Sequence, residues 1–134
     1  MSTTYPSFGF VGPNNLGLLV DLYELVMADA YLRGGMNDEA TFDLFIRSLP
    51  PHRAFLVSAG LESALHYLQQ FRVDGEGIAY LRGLRLFSEE FLAYLAGFRF
   101  SGEVWAIPEG EVCFPHEPLL EVTAPRIEAQ IVET

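Results

Sequence analysis

The chain has 134 residues, half of them hydrophobic and 13% aromatic, with 8 basic against 18 acidic side chains and a net charge of −10. One domain of about this size hides roughly two-thirds of its unfolded surface, so a packed core is expected and disorder is not. The acidic balance repels phosphate backbones and anionic bilayers, which excludes nucleic acid and membrane surfaces as partners. A single cysteine, Cys113, leaves no internal disulfide to form and fits a reducing, cytoplasmic setting. The first residues lack the basic and long apolar regions of a signal peptide, and no apolar run reaches the length of a membrane span.

Residues 1–17 carry Pro6, Gly9, Gly12, Pro13, Asn14, Asn15 and Gly17 and read as an irregular leader. From Leu18 to Leu32 apolar residues recur at three-and-four spacing, which predicts a helix stopped by Gly34-Gly35. Asp21 and Glu24 have capping-box spacing one turn into that stretch. Between Ala40 and Arg47 the pattern alternates, with Phe42, Leu44 and Ile46 on one side, and predicts a strand ended by Pro50-Pro51. Phe55–Val57 reads as a strand end, and Leu61, Ala64, Leu65, Leu68 and Phe71 predict a helix after Gly60. Two short helices are expected at 74–81 and 88–98, the second capped by Ser88 with Glu89 and Glu90 complementing its positive end.

From Gly102 onward the texture is β, with segments 104–107, 111–114 and 119–123 separated by prolines and Gly110. Pro125 fits the first turn of a final helix, in which Ile127 and Ile131 form an apolar stripe. No stop signal follows, so the chain is expected to end inside an unfinished helix whose stripe further chain would cover. The prediction is an α+β domain over 18–134, with central helices and a compact β region.

Local chemistry is sparse. There is no phosphate loop and no dinucleotide fingerprint, and Gly75, Gly77 and Gly83 read as turn glycines. His52, His66 and His116 lie far apart without metal-ligand spacing, which argues against a metal site. Cys113 lies in a β run between Val112 and Phe114 and reads as a buried inert thiol. The pairs Asp38/Glu39 and Glu89/Glu90 read as solvated or helix-start charges.

One constellation goes further. Leu18-Leu-Val-Asp-Leu-Tyr-Glu-Leu-Val-Met-Ala-Asp-Ala-Tyr31 resembles the opening signature of nicotinate phosphoribosyltransferases. Further blocks resemble that family in order: Gly35–Phe45, Leu49-Pro-Pro51, Phe87–Leu92, Val104–Gly110, Glu117–Leu120 and Ala129–Thr134. The resemblance implies the N-terminal α+β domain of a type II phosphoribosyltransferase, lacking the larger barrel-like domain. It implies an enzyme joining nicotinate to phosphoribosyl pyrophosphate, coupled to ATP hydrolysis with Mg²⁺, in the NAD salvage route, and working as a cytoplasmic homodimer. It implies that the residues for phosphoribosyl and ATP binding lie outside these 134, so this segment alone is inactive.

Two site residues are carried by the match. Tyr23 corresponds to the family tyrosine that stacks on the pyridine ring in the partner subunit's active site, and Asp21 to the neighbouring acidic position. A pyridine ring suits an offset aromatic face, and such stacking orients the ring nitrogen for attack at the anomeric carbon. Read without the match, Tyr23 is an interface or core aromatic, and Asp21 is explained as an N-cap. Val20 and Val26 stand where the family commonly has Thr, and Asp29 where it has a neutral residue. Two other readings stay open: a self-standing binding or dimerisation module, and a nicotinamide-using relative.

Overall fold

A computed structural model describes residues 16–134. The leader expected over 1–17 lies outside the described residues except for Leu16 and Gly17, which open a single 3-10 turn, Leu16–Leu18. The first helix, α1, spans Leu22–Arg33, so it starts one turn later than its apolar spacing predicts. Asp21 is the reason. It takes the extended N-cap conformation, and its N–H donates to the Glu24 carboxylate at 3.1 Å, which fixes the helix start there. Gly34 closes α1, its N–H donating to the Ala30 carbonyl, and Gly35 turns the chain outward at φ 65°.

Strand β1, Glu39–Phe45, forms where the alternation predicts one, with Phe42 partly buried, but Leu44 is 58% exposed and Ile46 lies beyond the strand. After β2, Leu56–Val57, come α2 (Leu61–Gln70), α3 (Gly75–Leu84) and α4 (Glu89–Ala96). Two of these helices carry caps from their own sequence. Asp74 accepts from the Gly77 N–H at 2.8 Å, and Ser88 Oγ from the Phe91 N–H at 3.1 Å. The third has only Gly60 at its N-cap, at φ 105°, and borrows a carboxylate from elsewhere. Glu109 Oε1 accepts from the N–H groups of Gly60 and Glu62 at 2.9 and 3.2 Å.

The late strands are β3 (Glu103–Ala106), β4 (Val112–Cys113) and β5 (Pro118–Pro125). They form the expected β region, which also takes in a strand from the distant N-terminal part of the chain. The centre of the larger sheet is β5, flanked by β3 on one side and by the distant β1 on the other, all antiparallel. Phe42, Val122 and Val104 fall in one row across it. Meanwhile β4 leaves to pair with β2. Burial decides the arrangement: a row of apolar side chains from three strands covers a helix better than one hairpin does.

That helix is α5, Arg126–Ile131, which begins one residue after Pro125. Every residue from Ile127 to Ile131 is buried. Val122, Ala124 and Ala129 pack between sheet and helix. On the other side, Ile127 and Ile131 join Leu25, Ala28, Phe71, Leu81, Phe91, Leu95 and Phe98 in the main core. Both isoleucines are 0% exposed. The expected need for further chain over this stripe is therefore corrected: α1 and the central helices already cover it.

Polar groups pin the first half of α5. Asn37 Oδ1 accepts from the Ile127 N–H at 3.1 Å, and the Arg126 N–H donates to the Asp38 carbonyl at 3.0 Å. The buried Glu128 carboxylate accepts from the Ser101 N–H at 2.7 Å and from its hydroxyl at 2.9 Å. Buried carboxylates are tolerated when donors of this kind meet them.

Candidate functional site

Packing α1 beside α5 brings the first turn of one against the residues that follow the other. Tyr23, on that first turn, is 48% exposed. Its hydroxyl donates to Glu133 Oε1 at 2.8 Å, across 110 residues of sequence. The second oxygen of Glu133 accepts from Gln130 Nε2 at 2.5 Å, and Gln130 is buried on α5. The next residue clamps the other side of the turn. The Thr134 hydroxyl donates to Glu24 Oε1 and accepts from the Asp21 N–H at 3.3 Å.

The electrostatics follow from this geometry. Glu24 is 1% exposed, and burial raises its carboxyl above the ordinary value; the Thr134 hydroxyl and Asp21 N–H pull in the opposite direction. The Tyr23 phenol is pushed up to about 12, first because its proton is held by the Glu133 carboxylate and then by desolvation and the charges of Glu133, Glu24 and Asp21. At neutral pH the side chain is a neutral phenol whose proton is held by the Glu133 carboxylate.

A groove of about 270 Å³ between α1 and α3 is lined among others by Val20, Leu22, Tyr80 and Leu86, and Tyr23 is not part of its lining. Val20 stands here where a threonine is usual, and its methyl groups pack against the core cluster. Asp29, another of the three departures, points elsewhere. It is 3% exposed and accepts from the Ser88 hydroxyl at 2.5 Å, tying α1 to the start of α4. It therefore leaves the surroundings of Tyr23 untouched.

Of the two residues singled out from sequence, Asp21 serves as the N-cap and Tyr23 as the exposed ring, side by side on the same turn. Glu133, Thr134 and Gln130 were missed as site residues. Their only signal was membership of the Ala129–Thr134 block, and no local spacing links them to Tyr23. Cys113 is buried on β4, as a structural thiol would be. Among the described residues no group of three His, Cys, Asp or Glu side chains could hold a metal ion. The Glu24 and Glu133 carboxylates are met by N–H or O–H donors rather than gathered as an oxygen cage. They do not fit Mg²⁺ or ATP, and no step through either is derived from them. Among the described residues no helix is long and apolar enough to cross a membrane.

Comparison with known proteins agrees with this layout. Residues 18–134 match the family model described as the nicotinate phosphoribosyltransferase (NAPRTase) N-terminal domain. A nicotinate phosphoribosyltransferase of Mycobacterium tuberculosis, pncB2, is 52% identical over 117 residues, covering 87% of this chain and 25% of that protein. The Bacillus subtilis nicotinate phosphoribosyltransferase is 40% identical over 122 residues, or 90% of this chain and 25% of the relative. Among solved structures, human nicotinic acid phosphoribosyltransferase superposes with a TM-score of 0.77 at 34% identity, over 86% of this chain and 24% of its own. The chain thus spans about a quarter of the length of the relatives it matches, and the larger remainder of those proteins has no counterpart in these 134 residues. With the α+β architecture, the signature on α1 and the match over 18–134 in agreement, the chain belongs to the nicotinate phosphoribosyltransferase family and forms its N-terminal domain.

Proposed function

We propose that this chain is the N-terminal part of an enzyme that joins nicotinate to phosphoribosyl pyrophosphate, giving nicotinate mononucleotide and pyrophosphate for NAD salvage. The observation that carries the reading is the family match over 18–134 together with 52% identity to a named nicotinate phosphoribosyltransferase. That identity favours the enzyme over a self-standing binding module and over a nicotinamide-using relative. In the same reading the enzyme is a cytoplasmic homodimer coupled to ATP hydrolysis with Mg²⁺, and residues 1–134 alone are inactive.

Within the whole enzyme, Tyr23 offers its ring face to the pyridine of nicotinate in the partner subunit's site, with Asp21 beside it. A half-exposed ring on a helix start, tethered by its hydroxyl, supports that role. Stacking holds the ring nitrogen toward the anomeric carbon, which lowers the cost of reaching the reactive geometry. Steady-state kinetics of Tyr23→Ala in the full-length enzyme tests it. The KM for nicotinate rises far more than that for phosphoribosyl pyrophosphate; equal effects on both substrates would overturn the assignment.

A further inference from the structure

We propose that Glu133 is the positioning residue of Tyr23, fixing the angle at which the aromatic face meets the pyridine ring. The inference rests on the role given to Tyr23 above and adds the group that makes the ring rigid.

A tyrosine at the exposed start of a helix has two free side-chain torsions and would sweep a range of ring orientations. Stacking needs one of them, and the freedom lost on binding weakens the complex. Here the phenol oxygen is tied to Glu133 Oε1 at 2.8 Å, so the far end of the ring is fixed as well as its Cβ. The tether is itself anchored. Glu133 Oε2 holds Gln130 Nε2 at 2.5 Å, and Gln130 is 2% exposed on a helix buried from Ile127 to Ile131. Thr134 and Glu24 then lock the same turn of α1 from the other side. Tyr23 as a whole stays 48% exposed. Glu133 acts through Tyr23, so its loss reaches the ligand whose ring Tyr23 meets and leaves the other substrate alone.

The test uses the full-length enzyme with both substrates varied, in Glu133→Ala, Glu133→Gln, Tyr23→Phe and the double variant Tyr23→Phe/Glu133→Ala. Glu133→Ala raises the KM for nicotinate about three- to tenfold, the range for losing one ordinary net hydrogen bond, since the tether reaches nicotinate only through Tyr23, while kcat and the KM for phosphoribosyl pyrophosphate stay within about twofold. Tyr23→Phe, which keeps the ring and removes the donor, gives the same rise, and the double variant is no worse than either single one. Glu133→Gln retains a carbonyl acceptor and recovers most of the loss. An unchanged nicotinate KM in Glu133→Ala, an equal rise for both substrates, or effects that multiply in the double variant would each overturn the proposal. A Glu133→Ala protein that fails to fold leaves Tyr23→Phe as the decisive variant, and an unchanged nicotinate KM there overturns it equally. Tyr23→Ala separates the two levels. If it leaves the nicotinate KM alone, the pyridine assignment falls; if it raises that KM while Glu133→Ala does not, only the role of Glu133 falls.

Discussion

Replacing Ile131 by alanine tests whether the last helix closes the core of this chain or awaits cover from elsewhere. Ile131 is 0% exposed and packs in the same cluster as Leu25 and Ala28 of α1. The substitution removes three carbons, which at about 0.8 kcal/mol per buried methylene-sized group is about 2.4 kcal/mol of lost transfer energy. Partial relaxation around the cavity adds to this and brings the cost toward the upper part of the ~2–5 kcal/mol range for such truncations. Set against a total stability of ~5–15 kcal/mol for a domain, that is a large share. The melting temperature should fall by ~10 °C or more at about 4 °C per kcal/mol for a domain of this length. Urea unfolding followed by circular dichroism measures the free energy, and Ile131→Val, expected at ~0.5–1.5 kcal/mol, calibrates the site. A loss below ~1 kcal/mol for Ile131→Ala, with Ile131→Val matching the parent protein, would refute the reasoning: the side chain would then already be wet, and α5 would not be part of this core.

Three further outcomes follow from particular contacts. Ser88→Ala removes the acceptor of the Phe91 N–H and a donor to buried Asp29, and should cost ~1–3 kcal/mol in chemical denaturation; a neutral result would show that the Asp29 link does not hold α1 to α4. Glu109→Ala should lower stability by ~0.5–2 kcal/mol by leaving the Gly60 and Glu62 N–H groups to water, with Glu109→Gln intermediate, and a Glu109→Ala protein as stable as the parent would sink the capping role. Glu24 carries a carboxyl raised above 4.5 in the folded state, so the native protein holds that proton more tightly than the unfolded chain. Its contribution is fully favourable below the unfolded value and declines as pH rises from there through the folded value. The stability difference between the parent and Glu24→Gln should therefore shift against the parent between about pH 4 and pH 7, and a shift in its favour would contradict the burial argument.

What could be read from the sequence was whatever neighbours in the chain decide. Ser88 with Glu89 and Glu90 placed the start of α4, and the alternation of Phe42, Leu44 and Ile46 placed β1, because caps and period-two patterns act within a few residues. The start of α1 was misplaced because Leu18 continues the apolar spacing across a break that Asp21 imposes. The pairing within the β region was not legible for a different reason. Strand pairing is a long-range choice, and nothing near Leu119 states that its partner is β1. The same limit hid the cap of α2, which Glu109 supplies across 49 residues to Gly60. For the site, Tyr23 and Asp21 could be named through resemblance, whereas the Tyr23–Glu133 bond depends on how α1 and α5 pack and has no local signature.

The position of Tyr23 at that junction explains what its chemistry is suited to. A tyrosine that shuttles protons needs a phenol near the working pH, and this one is pushed up to about 12 by a carboxylate that holds its proton. The same bond that disqualifies it as an acid or base makes it a fixed surface, because the proton that could be given away is spent on holding the ring. Glu24, immediately behind it, is buried and takes its donors from the backbone of Asp21 and the hydroxyl of Thr134, so it too is a structural carboxylate rather than a free base. The residues after α5 therefore act on α1 as a clamp with two arms, Glu133 on the ring and Thr134 on the helix start. Damage to either arm should alter the presentation of Tyr23 before it alters the fold, since the clamp lies at the surface while the isoleucines beneath it carry the packing.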